Sequence, residues 1–163
     1  MIVVFAVVLN VVAQDSWDAY KPRTLKEFET ISQRSRKNPD VVQRNPKNEP
    51  VLLLSYDSYQ SKVRVVYSGE SRKVSAERTD LIRFWLSILS KPKELADMFE
   101  DECLFSENKV EYWLPVQKQV ASYFAKELKK GDTVTLYVAW VGGLYKANGF
   151  DNVFIVNEFE KAE

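Results

Sequence analysis

The side chains that could do acid–base or nucleophilic chemistry are restricted to a few types in this sequence. Its 163 residues include no histidine and a single cysteine. Histidine is the commonest general base, so the Ser/His/Asp and Cys/His routes to covalent catalysis are excluded. There is also no phosphate-cradling glycine motif, nucleophile elbow or zinc-ligand spacing. The sequence therefore assigns no catalytic residue, no metal ligand and no cofactor, and it favours a binding function over an enzymatic one.

Carboxylates offer the one remaining route to catalysis. Glu111 and Glu158 fall in predicted strands and could form a two-carboxylate site of the glycosidase kind, although the sequence does not fix their separation. A small carboxylate-dependent hydrolase is therefore one alternative function. The densest acidic group lacks the spacing and the glycine of an EF-hand, so we expect a solvated face there. This group consists of Glu94, Asp97, Glu100, Asp101 and Glu102. Cys103 follows it directly, and nearby carboxylates raise a thiol pKa, which predicts a buried, unreactive side chain.

The candidate residues for binding a partner cluster near the end of the chain. Tyr145, Lys146, Asn148 and Phe150 surround the glycines of a predicted hairpin loop. Aromatic side chains dominate the energetics of protein interfaces, and binding residues concentrate on loops. The first functional hypothesis is therefore a non-enzymatic binding or interaction domain, which contacts an unknown protein or polymer through this loop.

A basic segment precedes the main body of the sequence. Between Lys21 and Lys47 there are eight basic and three acidic residues, whereas the whole chain carries 23 of each. Such a segment could hold a polyanion through counterion release, or it could be a solvated linker that its own charges keep extended. The second alternative function is accordingly an OB-like binder of single-stranded nucleic acid or another polyanion, with aromatic side chains that stack on the ligand.

The first residues have the pattern of a secretory signal. Residues 2–13 are apolar except for Asn10. This run is shorter than the about 20 residues that a membrane-spanning helix needs. An apolar run of this length before Val11-x-Ala13 is typical of a signal peptide. We therefore expect a signal over 1–13, a basic helix and Pro/Asn-rich linker over 14–49, and a globular domain over 50–163. A leader before a small body is typical of exported bacterial proteins, which predicts a secreted or periplasmic location with no membrane span after processing.

Periodicity and capping signals predict the helices. Thr24 and Glu27 have the spacing of a capping box, which predicts a helix over 24–34. Apolar residues recur at helical spacing over 77–90, and Pro92 begins a further helical turn that ends at Phe99. Another helix is expected to begin at Pro115, with Gly131 as its stop.

Alternating and continuous apolar runs predict the strands. We expect strands at 51–54, at 63–67 and, after a turn at 68–70, at 72–75; a hairpin then joins 102–105 to 110–114. In the last hairpin, 133–141 and 153–159 are joined by an Asn148-Gly149 turn, which places Lys146 opposite Asp151 and Gly143 opposite Phe154.

These elements predict an α+β domain. Hydrophobic residues make up 45% of the chain, enough to exclude overall disorder. Hairpin connections favour an antiparallel sheet of about 5–7 strands with two main helices, and a partly open OB-like barrel is an open alternative. Trp85, Trp113 and Trp140 are expected to meet in the core.

Overall fold

The computed structural model describes residues 17–57 and 59–162, and these residues form eight strands, three α-helices and three 3-10 helices. The signal expected over 1–13 lies outside them. The strands are β1 (Lys21–Pro22), β2 (Val42–Arg44), β3 (Pro50–Leu54), β4 (Ser61–Lys73), β5 (Asp101–Glu107), β6 (Val110–Val116), β7 (Thr133–Lys146) and β8 (Gly149–Lys161). The helices are α1 (Glu27–Ser35), α2 (Ala76–Ile88) and α3 (Lys118–Glu127), with 3-10 helices at Trp17–Ala19, Pro39–Val41 and Lys93–Met98. None of these helices has the length and hydrophobicity that a bilayer crossing requires.

All eight strands belong to one mixed sheet, which confirms the α+β class. Their order is β1-β4-β5-β6-β8-β7-β3-β2, and β4 also pairs with β7. The pairs β1–β4 and β6–β8 are parallel, so the expectation of a purely antiparallel sheet is wrong. Hairpin signals fix the direction only of strands that follow each other in sequence. Here α3 and β7 lie between β6 and β8, and the chain crosses over before β8 returns beside β6.

The helix signals are largely confirmed. The Thr24 hydroxyl accepts a hydrogen bond from the Glu27 amide at 3.2 Å, and the Glu27 carboxylate accepts one from the Thr24 amide at 2.6 Å. Ser75 caps α2 by accepting a hydrogen bond from the amide of Arg78 at 3.3 Å. The expected helix start at Pro115 is wrong, because Pro115 continues β6 opposite Glu102 and α3 begins only at Lys118.

The turn expected at Ser68–Glu70 is a bulge inside one long strand. Residues on both sides of it pair with β5, and the register shifts between Tyr67 and Ser71. Gly69 has a φ of +80°, which suits an irregularity that a side chain would strain. The two strands expected around this turn are therefore the single strand β4.

The register of the last hairpin differs from the prediction by two residues. Ala147 and Asn148 form the turn, Lys146 lies opposite Gly149, and Tyr145 lies opposite Phe150. The predicted pairs of Lys146 with Asp151 and of Gly143 with Phe154 are therefore wrong. Near the turn this shift of two keeps the side chains on their predicted faces, because they alternate with a period of two. A register shift between Trp140 and Gly142 then places Trp140 opposite Phe154, three residues from the predicted pairing, so these two side chains share a face that the prediction did not give them.

The apolar side chains form two separate clusters. Trp140, Phe154 and Phe28 belong to one, which includes residues of α1 and α3. Trp85 of α2 belongs to the other, together with Val141 of β7. Adjacent residues of β7 thus enter different clusters, as alternation along a strand requires. The three tryptophans do not meet as expected, since Trp113 is only partly buried and stacks with the Arg72 guanidinium, whose Cζ lies 4.0 Å from its ring centroid.

Candidate functional site

The four predicted contact residues lie together where β7 turns into β8, and we call residues 145–150 the hairpin end. Lys146 and Asn148 are exposed, whereas Tyr145 and Phe150 are half-buried. The rings of Tyr145 and Phe150 meet edge to face, with centroids 5.1 Å apart. The hairpin end therefore offers two polar side chains to solvent beside an aromatic pair that is anchored in the protein.

Phe150 owes its position to a glycine on the neighbouring strand. A Cβ atom on Gly143 would lie 2.5 Å from the Phe150 ring, so the ring lies directly over the bare backbone. The sequence predicts a ring over Gly143, and the ring is that of Phe150 rather than Phe154. This contact makes Phe150 part of the packing as well as of the surface.

A buried arginine of α2, Arg78, holds β8 at Asp151, directly after the hairpin end. The Arg78 guanidinium donates to both carboxylate oxygens of Asp151, at 2.7–3.1 Å, and to the Trp113 carbonyl at 2.8 Å. It also donates to Glu102, which is 1% exposed. Burial alone would lower the pKa of Arg78, but the hydrogen bonds and charges of Asp151 and Glu102 raise it overall. Because Asp151 directly follows Phe150, α2 fixes the position of the hairpin end.

The acidic group expected as a solvated face is divided between two environments. Glu94 and Asp97 are exposed, as expected, but Glu102 is buried between Arg78 and Arg72, whose Nε donates to it at 2.6 Å. Among the residues that the structure describes, no group of three or more acidic or cysteine side chains could hold a metal ion.

A groove of about 510 Å³ runs between α2 and the strands β3 and β7, and it ends at the hairpin end. Val51 of β3 and Phe84 of α2 line it and are 38% and 39% exposed. Tyr145 and Lys146 line it as well, and the Lys146 ammonium donates a hydrogen bond to the Glu77 carboxylate. Two of the four predicted contact residues thus lie in a groove with exposed apolar walls and a charged end.

The opposite flank of the hairpin end is basic. The Arg36 guanidinium, just beyond α1, lies 4.8 Å from the Phe150 ring centroid. Burial raises the pKa of the Tyr145 phenol, whereas the charges of Arg36 and Arg44 act to lower it, so both arginines are electrostatic neighbours of its hydroxyl. Sequence reasoning missed this neighbourhood, because Arg36 and Arg44 are far from Tyr145 in the chain. Their only signal was the excess of positive charge over 21–47.

The candidate carboxylate pair is not brought together. Val116 of β6 is level with Val156 of β8, and these strands are parallel. Glu111 precedes the first and Glu158 follows the second, which separates the two carboxylates by roughly 20 Å along the strands. Burial raises the pKa of Glu158, and the nearby charges of Glu127 and Glu160 raise it further. Because Glu111 is out of reach, the raised pKa of Glu158 does not make the predicted two-carboxylate site.

The single cysteine is placed as expected. Cys103 is buried in the sheet, and burial together with Asp101 and Glu102 raises its pKa to about 12. Thiols react as thiolates, so this side chain contributes packing rather than chemistry.

No known family, curated protein or solved structure matches this chain. The function is therefore inferred from the groove on one side of the hairpin end and from the basic flank on the other.

Proposed function

We propose that the protein is a non-enzymatic binding domain, and that the groove between α2 and β3–β7 holds an apolar, positively charged segment of a partner. The observation that carries this proposal is the exposure of Val51 and Phe84 on the β3 and α2 sides of one groove. Apolar side chains that line a common concave surface indicate a binding site more strongly than scattered ones do. The groove volume of about 510 Å³ falls within the range of about 300–1,000 Å³ that ligand pockets have.

The charges of the groove favour a cationic occupant. Among its lining residues, Glu77 and Asp80 stand against one ammonium group, that of Lys146, and Asp80 shares the nearby Arg83 with Asp97. A partner with an apolar anchor and a flanking lysine or arginine would bury the anchor against Phe84 and meet the excess negative charge. Because Arg78 fixes the neighbouring strand, the groove is formed before the partner arrives, which lowers the entropic cost of binding.

An NMR titration with short peptides tests this proposal. We expect the acetylated, amidated peptide Lys-Phe-Leu-Lys to shift amide signals of residues 51–52, 77–84 and 144–146, and the peptide Glu-Phe-Leu-Glu to bind more weakly. Phe84→Ser should weaken the first peptide at least about tenfold, because a large apolar contact is lost. Val110→Ser is the matched control, since Val110 is 49% exposed and lies outside the groove. Absence of these shifts, or equal losses in both variants, would refute the groove as the binding site.

We also propose that the protein is exported to a secreted or periplasmic location. The support is the apolar run over residues 2–13 and the cleavage pattern that ends at Ala13. N-terminal sequencing of the natively produced protein should find Gln14 as the first residue. An intact Met1 would contradict export through this signal.

A second candidate function, the OB-like binder of a polyanion, is favoured by the order of strand pairing. We propose that β4, β5, β6, β8 and β7 form an OB-like barrel, because each pairs with the next and β7 pairs again with β4. In such barrels one sheet face and the neighbouring loops bind oligonucleotides or oligosaccharides. Fluorescence anisotropy with a labelled oligodeoxythymidylate tests this function. Binding should weaken steeply with salt, and binding that salt leaves unchanged, or no binding, would refute it.

A further inference from the structure

The Arg36 guanidinium belongs to a half-buried side chain, and no carboxylate of the described residues lies within ion-pair distance of it. Its Nε is buried and makes no hydrogen bond, and its contact within residues 17–57 and 59–162 is with the face of Phe150. Arg78, the other arginine held against β8, has two carboxylates. Because this Nε has no accessible surface, an added anion would meet the terminal Nη groups of Arg36, which make no hydrogen bond within the described residues.

A second cation and a hydroxyl lie on the same flank. Arg44 ends β2, and its Nη1 donates to the Asn48 carbonyl at 2.8 Å, which uses one of its five N–H donors. Arg36 and Arg44 both act electrostatically on the Tyr145 hydroxyl, which is thus close to two positive charges. The Tyr145 ring is in turn held against Phe150. Arg44 pairs with Pro50 of β3, and β3 pairs with β7 at Leu144, directly before Tyr145. Arg36, Arg44 and Tyr145 therefore lie on the same flank of the hairpin end, beside the Phe150 ring.

We propose that Arg36, Arg44 and the Tyr145 hydroxyl bind the phosphate group of a ligand. Guanidinium groups match the oxygen geometry of phosphate and carboxylate, and they stay protonated at every physiological pH. A phosphate monoester carries nearly two negative charges at neutral pH, which balances the two arginines, whereas a carboxylate balances one.

This site is separate from the cationic segment proposed for the groove and does not rest on it. It also concerns a single phosphate group, so it does not require that the protein bind a polymer. If the protein binds a phosphate monoester but no oligodeoxythymidylate, the site stands and the polyanion function fails. Phe84→Ser, which removes an apolar contact of the groove, should leave phosphate binding unchanged.

Calorimetric titration of the full chain with phenyl phosphate and with benzoate tests the proposal. Arg36→Met replaces the guanidinium over Phe150 with an apolar side chain and removes the charge, and Arg44→Met removes the charge of an exposed residue. Each should weaken phenyl phosphate at least about tenfold, as expected for a lost charge-assisted hydrogen bond. Arg64→Met is the matched control, because Arg64 pairs with Thr135, roughly 30 Å along β7 from Tyr145.

The outcomes separate a specific site from general attraction. We expect Arg64→Met to change the affinity less than twofold, and phenyl phosphate to bind more weakly below about pH 6, where it loses its second charge. Equal losses in the Arg44 and Arg64 variants would overturn the site. Benzoate binding as tight as that of phenyl phosphate would overturn the assignment to phosphate. If Arg36→Met does not fold, Arg44→Met alone decides between these results.

Discussion

Replacing Arg78 with methionine should destabilise the protein by about 3 kcal/mol, the lower end of what removing one partner of a buried ion pair costs. The lower end applies because each carboxylate keeps some compensation. Glu102 retains Arg72, whose Nε lies 2.6 Å away, and the side chain of Asp151 is 30% exposed and can be rehydrated. The Trp113 carbonyl loses a hydrogen bond at 2.8 Å as well.

Urea denaturation measures this cost. With a slope of about 1–3 kcal/mol per molar urea, the midpoint of Arg78→Met should fall by about 1–3 M while the slope is unchanged. Arg83→Met is the matched control on the same helix, because Arg83 pairs with Asp80 and Asp97 at the surface, where solvent screens ion pairs. Adding Glu102→Gln to Arg78→Met should recover part of the loss, since it removes a buried charge. Equal midpoints for the two arginine variants would refute the reasoning.

Three further predictions concern a glycine, the thiol and a carboxylate. Gly142→Ala should cost at least about 2 kcal/mol in urea denaturation, because its Cβ would lie 2.0 Å from the Leu53 carbonyl oxygen. Gly131→Ala is the control, because Gly131 also has a positive φ but its Cβ would meet no atom within 4 Å. If both variants lose the same free energy of unfolding, the loss comes from backbone strain and not from the contact with Leu53. Cys103 should react with iodoacetamide at pH 8 only after unfolding, because a pKa of about 12 leaves about one thiolate in 10,000; rapid native labelling would contradict this. Burial and nearby glutamates raise the pKa of Glu158, so the native state binds its proton more tightly and stability falls as pH rises through that pKa. Glu158→Gln should therefore flatten the fall of Tm above about pH 4, and an unchanged pH profile would contradict it.

The features that the sequence predicts correctly are those with a local cause. The capping box of Thr24 and Glu27 needs only neighbouring residues. The hairpin of β5 and β6 likewise depends on its own turn, in which Asn108 and Lys109 both have positive φ. Each of these signals acts within a few residues, so tertiary packing has little opportunity to override it.

The register of the last hairpin is not determined by the local turn signal. Asn148-Gly149 is a preferred turn pair, yet the turn forms one residue earlier. The observed register pairs the Tyr145 and Phe150 rings and lays Phe150 over Gly143, which the preferred turn would not do. It also leaves Asp151 in reach of Arg78 on α2. Contacts with distant elements thus outweigh a turn preference, which sequence spacing alone cannot show.

The same distinction explains how much of the candidate site the sequence could predict. Tyr145, Lys146 and Phe150 are found because they are neighbours in the chain, whereas Arg36 and Phe84 join them only through folding. Because α2 holds β8 at Asp151, the groove and the basic flank are two sides of one fixed hairpin. Arg78→Met should therefore weaken the binding of both probes, Lys-Phe-Leu-Lys and phenyl phosphate, although Arg78 belongs to neither proposed contact set. Loss of only one probe in a folded Arg78→Met variant would show that the two flanks are positioned independently.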